Sequence, residues 1–193
     1  MPTEDWATGR RGFFRDGLAR IIGPLADYLD KHMAEPTRRL RLRPPGAIAE
    51  DEFLDTCTRC GVCVEVCPVH AIRPQPTGDH PSSGTPWINP NAAACVLCEG
   101  LVCTHECPSG ALLPLDKPQD VAMGLARVHP ALCVRLDGED CTICVDKCPL
   151  GSEALKLTGM RPPKVMDPGC VGCGVCQLYC PTSPKAILVR PGV

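Results

Sequence analysis

Cysteine thiols are the residues of this chain best placed to do chemistry. The run Cys57-Thr-Arg-Cys60-Gly-Val-Cys63-Val-Glu-Val-Cys67-Pro68 sets three thiols at three-residue steps, adds a fourth four residues on and closes in proline. That spacing suits a 4Fe–4S cube, the first three thiolates holding one cube and the fourth reaching a neighbouring one. The reason is geometric: a cubane has four iron corners, and a short loop can wrap three of them but not the last. Gly61 lets the backbone approach the inorganic sulphides and aim its N–H groups at them, and Pro68 stops a helix from continuing.

The run recurs three times. Cys170, Cys173, Cys176 and Cys180-Pro181 repeat it without change. Cys95 and Cys98 are followed, after an insertion, by Cys103 and Cys107-Pro108, and a wide gap separates Cys133 from Cys141, Cys144 and Cys148-Pro149. All 16 cysteines fall into these four sets. A disulfide scaffold would not crowd three thiols into seven residues, because such neighbours bridge poorly. Structural zinc wants paired C-x-x-C units separated by a longer loop. The sequence therefore predicts four 4Fe–4S clusters.

Composition fits that expectation. Aromatic residues are 4% of 193 residues and prolines number 22, so little large apolar surface exists for an ordinary core. Clusters would serve as the staples, and the cluster-free chain is expected to be largely unfolded. The formal charge of −2 becomes about −10 once each of four clusters with its thiolates adds about −2, which argues against nucleic acid as a partner. The sequence offers no apolar run long enough to span a membrane.

The elements that must position the thiols are short. Ile72, Trp87-Ile88-Asn89, Ala111-Leu112, Ala154-Leu155-Lys156, Lys164-Val165-Met166 and Ala186 to Val189 read as strands flanking the cluster loops, and residues 119–126 read as a short helix. The predicted class is α+β: two bacterial-ferredoxin-like modules of short hairpins and helices, preceded by an N-terminal amphipathic helix. That helix carries Phe13, Phe14, Leu18, Ile21, Ile22, Leu25, Tyr28 and Leu29 on one face. Residues 34–50, with Arg38, Arg39, Arg41 and Arg43, read as a basic, proline-rich linker, so the first domain is set at 1–50 and the cluster body at 51–193. Arg10-Arg11-Gly-Phe13-Phe14 resembles a twin-arginine export motif. Asp16, Arg20 and Asp27 interrupt the apolar region such a signal requires, so a cytoplasmic location is the expectation, membrane-peripheral through a partner.

The four motifs resemble the polyferredoxin family of electron-transfer subunits. Residues 52–191 resemble more closely the NapG/MauM-type ferredoxins that accompany periplasmic nitrate reductase and methylamine dehydrogenase. The features that carry this are the insertion between Cys98 and Cys103, the segment Met123-Gly124-Leu125-Ala126, and the gap from Cys133 to Cys141. The resemblance implies redox protein partners, among them a membrane-bound quinol-oxidising subunit on which the N-terminal helix would dock. It also implies nested pairing of motifs, first with fourth and second with third. Cys57, Cys60 and Cys63 would then share a cube with Cys180, and Cys170, Cys173 and Cys176 with Cys67. Cys95, Cys98 and Cys103 would take Cys148, and Cys133, Cys141 and Cys144 would take Cys107. The outer module would span 51–80 plus 164–193, and the inner one 87–160. Sequential pairing stays open, because the Ala-Ile/Leu step comes after the proline at one interval in motifs one and two and at a longer interval in three and four.

With one thiolate for every iron corner, no iron keeps the open position that substrate chemistry would need, and no nucleotide-binding fingerprint occurs. The expected role is a relay of single electrons between partner proteins, without catalysis of its own; the alternative is a cluster-stabilised docking subunit. His70 and His105 lie beside cluster loops and read as surface residues, and Tyr179 reads as a packing residue.

Overall fold

The structure, a computed structural model, describes residues 41–192. The predicted amphipathic helix, the arginine pair at 10–11, and Arg38 and Arg39 lie outside the described residues.

The chain opens with a strap over residues 41–49 and a helix α1 (Glu50–Thr56) leading into the first cysteine loop. A one-turn helix α2 (Val62–Glu65) comes next, then strand β1 (Ile72–Pro74), which pairs antiparallel with β2 (Pro86–Ile88). Helix α3 (Val102–His105) carries the second motif. Strand β3 (Gly124–Val128), helix α4 (Ile143–Asp146) and the hairpin β4 (Leu155–Lys156) with β5 (Lys164–Val165) continue the order. Helix α5 (Val175–Tyr179) and strand β6 (Ile187–Pro191) complete it.

These elements form the same pattern twice. In the second half, β3 pairs antiparallel with β6, from Gly124 opposite Pro191 to Val128 opposite Ile187, and encloses the inner hairpin β4–β5. In the first half, β1–β2 is the inner hairpin, and the outer pair is reduced to a single bridge between Ala47 and Leu112. Ile48 N donates to Ala111 O and Leu113 N to Gly46 O to hold that bridge. Residues 41–50, the described part of the expected linker, are thus part of the body.

Arg43 explains why the strap packs inward. Its guanidinium is buried over the Phe53 ring at 4.5 Å and binds both oxygens of Glu50 at 2.7 and 2.8 Å. It also donates to Thr85 Oγ1 at 2.9 Å and Pro86 O at 2.7 Å. A planar fork with every edge partnered is the one form in which arginine is buried cheaply.

Residues 119–126 do not form the expected helix. Only a 3-10 turn at Pro118–Asp120 precedes β3. Two demands outweigh helix propensity: β6 needs a partner along its ladder, and the strand's first residue must allow close approach. The backbone of Gly124 lies 2.6 Å from where a Cβ on Gly172 would sit, and Gly172 itself has φ +73°. Glycine is needed there on both counts.

The core divides along the same line. Phe53, Ile72, Ile88, Leu101, Leu112 and Met123 gather in the first half, joined by Val171 and Val175 from the second. Ala126, Leu155, Ala186 and Ile187 form a smaller cluster in the second.

Candidate metal centres

In motifs one, two and four, a left-handed residue just before the second thiol turns the loop so that its thiols face one side. Arg59 (φ +59°), Leu97 (φ +51°) and Gly172 (φ +73°) occupy that position. A non-glycine residue there is strained, and wrapping a shared ligand is what the strain accomplishes. The short helices α2, α3, α4 and α5 then carry the third thiol of their motifs, Cys63, Cys103, Cys144 and Cys176.

The structure brings the thiols together in four groups, and the fourth member of each comes from the adjacent motif in sequence. Group I comprises Cys57, Cys60, Cys63 and Cys107, which line one cavity. Group II comprises Cys95, Cys98, Cys103 and Cys67, around a second cavity. Cys170, Cys173, Cys176 and Cys148 form group III. Cys133, Cys141, Cys144 and Cys180 line a third cavity as group IV. The nested pairing, and with it the outer and inner modules, is therefore corrected. Cys180 stands with Cys144 rather than with Cys57, Cys107 with Cys63, Cys67 with Cys103, and Cys148 with Cys176. The cause is the hairpins: β1–β2 folds motif two back on motif one, and β4–β5 does the same for three and four. Short connections make sequential motifs neighbours at small entropic cost.

Electrostatics among the thiols divide into the same groups. Burial first, then Cys57, Cys107 and Cys60, pushes Cys63 up to about 12. Burial and then Cys95, Cys98 and Cys67 push Cys103 up to about 12, and burial with Cys141, Cys133 and Cys180 takes Cys144 to about 11. Cys176 is raised by burial and then by Cys173, Cys170 and Cys148. Four thiolates in such a place repel one another unless a cation sits among them. The second cavity is lined, beyond its thiols, by Pro45, Pro68, Val69, Ala71, Ile72, Ile88, Val96 and Leu101, with no cationic side chain. Among the described residues no three His, Cys, Asp or Glu side chains converge closely enough to hold a single metal ion. Four thiols lining one cavity suit a polynuclear cationic core, which four thiolates would neutralise in part and hold by its corners.

Proximities between groups run in one order. Cys103 of group II feels Cys63 of group I. Cys95 of group II feels Cys173 of group III, and Cys95 N donates to Cys173 O at 3.0 Å. Cys176 of group III feels Cys144 of group IV.

Two arginines that sequence reading left as ordinary charges are buried, Arg43 in the strap and Arg135 within the Cys133–Cys141 insertion. Arg135 donates to Asp140 Oδ1 at 2.8 Å, Cys141 O at 2.9 Å and Arg161 O at 3.0 Å, and to Gly159 O. A charged residue inside a long cysteine gap was the available signal. His70 and His105 are exposed, as expected, His105 lying 3.1 Å from Leu115 O. Tyr179 is half exposed, with Lys147 Nζ 5.5 Å from its ring.

The fold and the thiol groups define a ferredoxin-type protein of 4Fe–4S domains. A family model described as a 4Fe-4S dicluster domain matches residues 56–111, and one described as a 4Fe-4S binding domain matches 168–183. The ferredoxin-type protein NapG of Escherichia coli K12 is 36% identical over 95% of this chain and 86% of its own length. The methylamine utilization ferredoxin-type protein MauM of Methylobacillus flagellatus is 38% identical over 78% of this chain and 68% of its own, and MauM of Paracoccus denitrificans 35% over 82% and 75%. The chain belongs to the NapG/MauM family of ferredoxin-type proteins, and its role is electron transfer within a larger redox system.

Proposed function

We propose that the chain holds four 4Fe–4S clusters, one in each thiol group, and serves as a linear relay whose ends are groups I and IV. The observation that carries this is the single order of proximities I–II–III–IV, with Cys95 and Cys173 joining the halves. Each cluster, when bound, supplies a site that takes up and returns one electron. The protein's part is to hold the sites close to one another in that order. Each half acts as a two-cluster module. The chain has no catalysis of its own, because every thiol group completes one cube and leaves no corner open.

Partners are redox proteins meeting the two ends. Among the described residues no helix is long and apolar enough to cross a membrane. Residues 12–33 are proposed to dock on a membrane-bound quinol-oxidising subunit, which would place the protein at a membrane surface through that partner, on the cytoplasmic side. Removing residues 1–39, which leaves the strap intact, should abolish copurification with the partner and keep the clusters.

The test of the relay is cluster content and pairing. Anaerobically purified protein should carry about sixteen iron and sixteen sulphide per chain. Paramagnetic resonance should show the same signal disturbed in Cys107→Ala as in Cys60→Ala, and the same in Cys180→Ala as in Cys141→Ala. Matching losses between Cys180→Ala and Cys60→Ala would refute this grouping, and eight or fewer irons would refute the four-cluster reading.

A further inference from the structure

The four fourth-position thiols differ in the side chain two residues further along. After Cys107 and Cys180 stand hydroxyls, Ser109 and Thr182, while Val69 and Leu150 occupy the corresponding places after Cys67 and Cys148. The structure puts both hydroxyls against sulphur in the same way. Ser109 Oγ lies 3.7 Å from Cys107 Sγ and accepts from Ala111 N at 3.4 Å. Thr182 Oγ1 lies 3.3 Å from Cys180 Sγ and accepts from Ala186 N at 2.8 Å. A thiolate bound to iron has no proton to give, so the hydroxyl must be the donor. The backbone N–H behind each oxygen occupies a lone pair and turns the O–H towards the sulphur. Leu112 N adds a further donor to Cys107 at 3.4 Å. In group II, Cys67 receives Ala71 N at 3.3 Å, and in group III, Cys170 receives Ala126 N at 3.5 Å.

Sequential pairing decides where these hydroxyls act. Cys107 completes group I and Cys180 completes group IV, so the two hydroxyl-bearing thiolates belong to the two ends of the row. Reduction adds negative charge that is shared by the cluster's sulphurs, and a donor aimed at a ligating sulphur favours the reduced state.

We propose that Ser109 and Thr182 are positioning residues that raise the reduction potentials of the two terminal clusters above those of the inner pair. The inference rests on the four-cluster reading with sequential pairing. Its consequence is a relay that stores electrons at its ends and passes them through the middle by a short uphill step, so that reduction populates the partner-facing sites first.

The test is a redox titration of the full, cluster-loaded chain monitored by paramagnetic resonance, each signal assigned by its loss in Cys60→Ala (group I) or Cys141→Ala (group IV). In Ser109→Ala the group I signal should require a lower potential, the reduced-to-oxidised ratio at fixed potential falling about tenfold, or about 59 mV for one electron. Thr182→Val should do the same to group IV alone. Ser109→Thr and Thr182→Ser keep the hydroxyl and should titrate as the unaltered protein does. Val69→Thr adds a hydroxyl beside Cys67 and should shift group II upwards; it decides the matter if a loss variant fails to load its cluster. Unmoved potentials in a protein with sixteen irons would overturn this inference and leave the relay standing, as would inner signals that reduce before the outer ones. An iron content near eight would instead overturn the relay itself.

Discussion

The two halves of the body bind thiols alike and are held together differently. The first half has a real apolar core, with Phe53, Ile88, Leu101 and Leu112 all at 2% exposure or less, and a buried Arg43–Glu50 pair that clamps its strap. Its outer strand pair is a single bridge. The second half has a five-residue outer ladder, β3 with β6, over a smaller core whose enclosed large side chains are Leu155 and Ile187. Arg135 organises its long insertion through backbone carbonyls rather than through packing. The difference teaches that the same ligand geometry can be supported either by side-chain burial or by backbone pairing with polar pinning, and that the second support leans harder on the clusters themselves.

The largest test of that contrast is removal of iron and sulphide. Stripping the clusters anaerobically leaves protonated thiols around emptied sites and removes the main staples, so the chain should lose most of its structure. The second half should go further, becoming fully protease-sensitive between 130 and 185, while fragments containing Phe53 and Ile88 persist longer in a timed digest. Equal loss in both halves would erase the distinction.

Next in size is Phe53→Ala. Truncating a side chain at 0% exposure costs about 3–5 kcal/mol by lost transfer energy and cavity formation. In denaturant titration the midpoint for groups I and II should fall while groups III and IV unfold near their original midpoint.

Arg43→Ala comes slightly below that, at about 3 kcal/mol, since Glu50 is left half-enclosed without its partner. Arg135→Ala should cost less, about 2 kcal/mol, because Asp140 is largely exposed and only carbonyls lose a donor. The Arg135 effect should appear as faster loss of the group IV signal on dilution into chelator.

The smallest effect is on protons. Burial pushes Cys63, Cys95 and Cys103 up to about 12 within the fold, and an ordinary thiol of the unfolded chain is also mostly protonated at neutral pH. Thiolate is the ligating form, so loading releases protons, strengthens as pH rises towards 12 and weakens as pH falls. Calorimetry of reconstitution in buffers of different ionisation enthalpy should show the release.

Much of the candidate site was legible in the chain. The spacing of Cys57, Cys60 and Cys63 is a local property, because three thiols in one loop can meet three corners of a cube whatever the rest does. The strands at Ile72, Trp87, Lys164 and Ile187 were legible for the same reason, being short apolar runs bounded by turn residues. The helix expected over 119–126 and the described part, 41–50, of the linker expected over 34–50 depart from expectation for one reason. Each is the first strand or strap of its half, and its partner lies far along the chain: Gly124 meets Pro191, and Ala47 meets Leu112. The clue to pairing was present in the interval from Cys-Pro to the next Ala-Ile or Ala-Leu step. Within the matching Ala-Ile and Ala-Leu steps of motifs one and two, Ala71 N donates to the crossing thiol Cys67 and Leu112 N to the crossing thiol Cys107.

The sequence by itself determined the count of thiols, their grouping into triplets and fourths, and membership of the NapG/MauM family, because ligand spacing within a loop is fixed by covalent reach. Only the tertiary structure decided which triplet each fourth thiol lies beside, that Cys95 meets Cys173 across the two halves, and that Arg43 and Arg135 are buried. Those outcomes depend on how hairpins fold motif upon motif, and contact between residues far apart in the chain is set by packing and strand pairing rather than by local spacing.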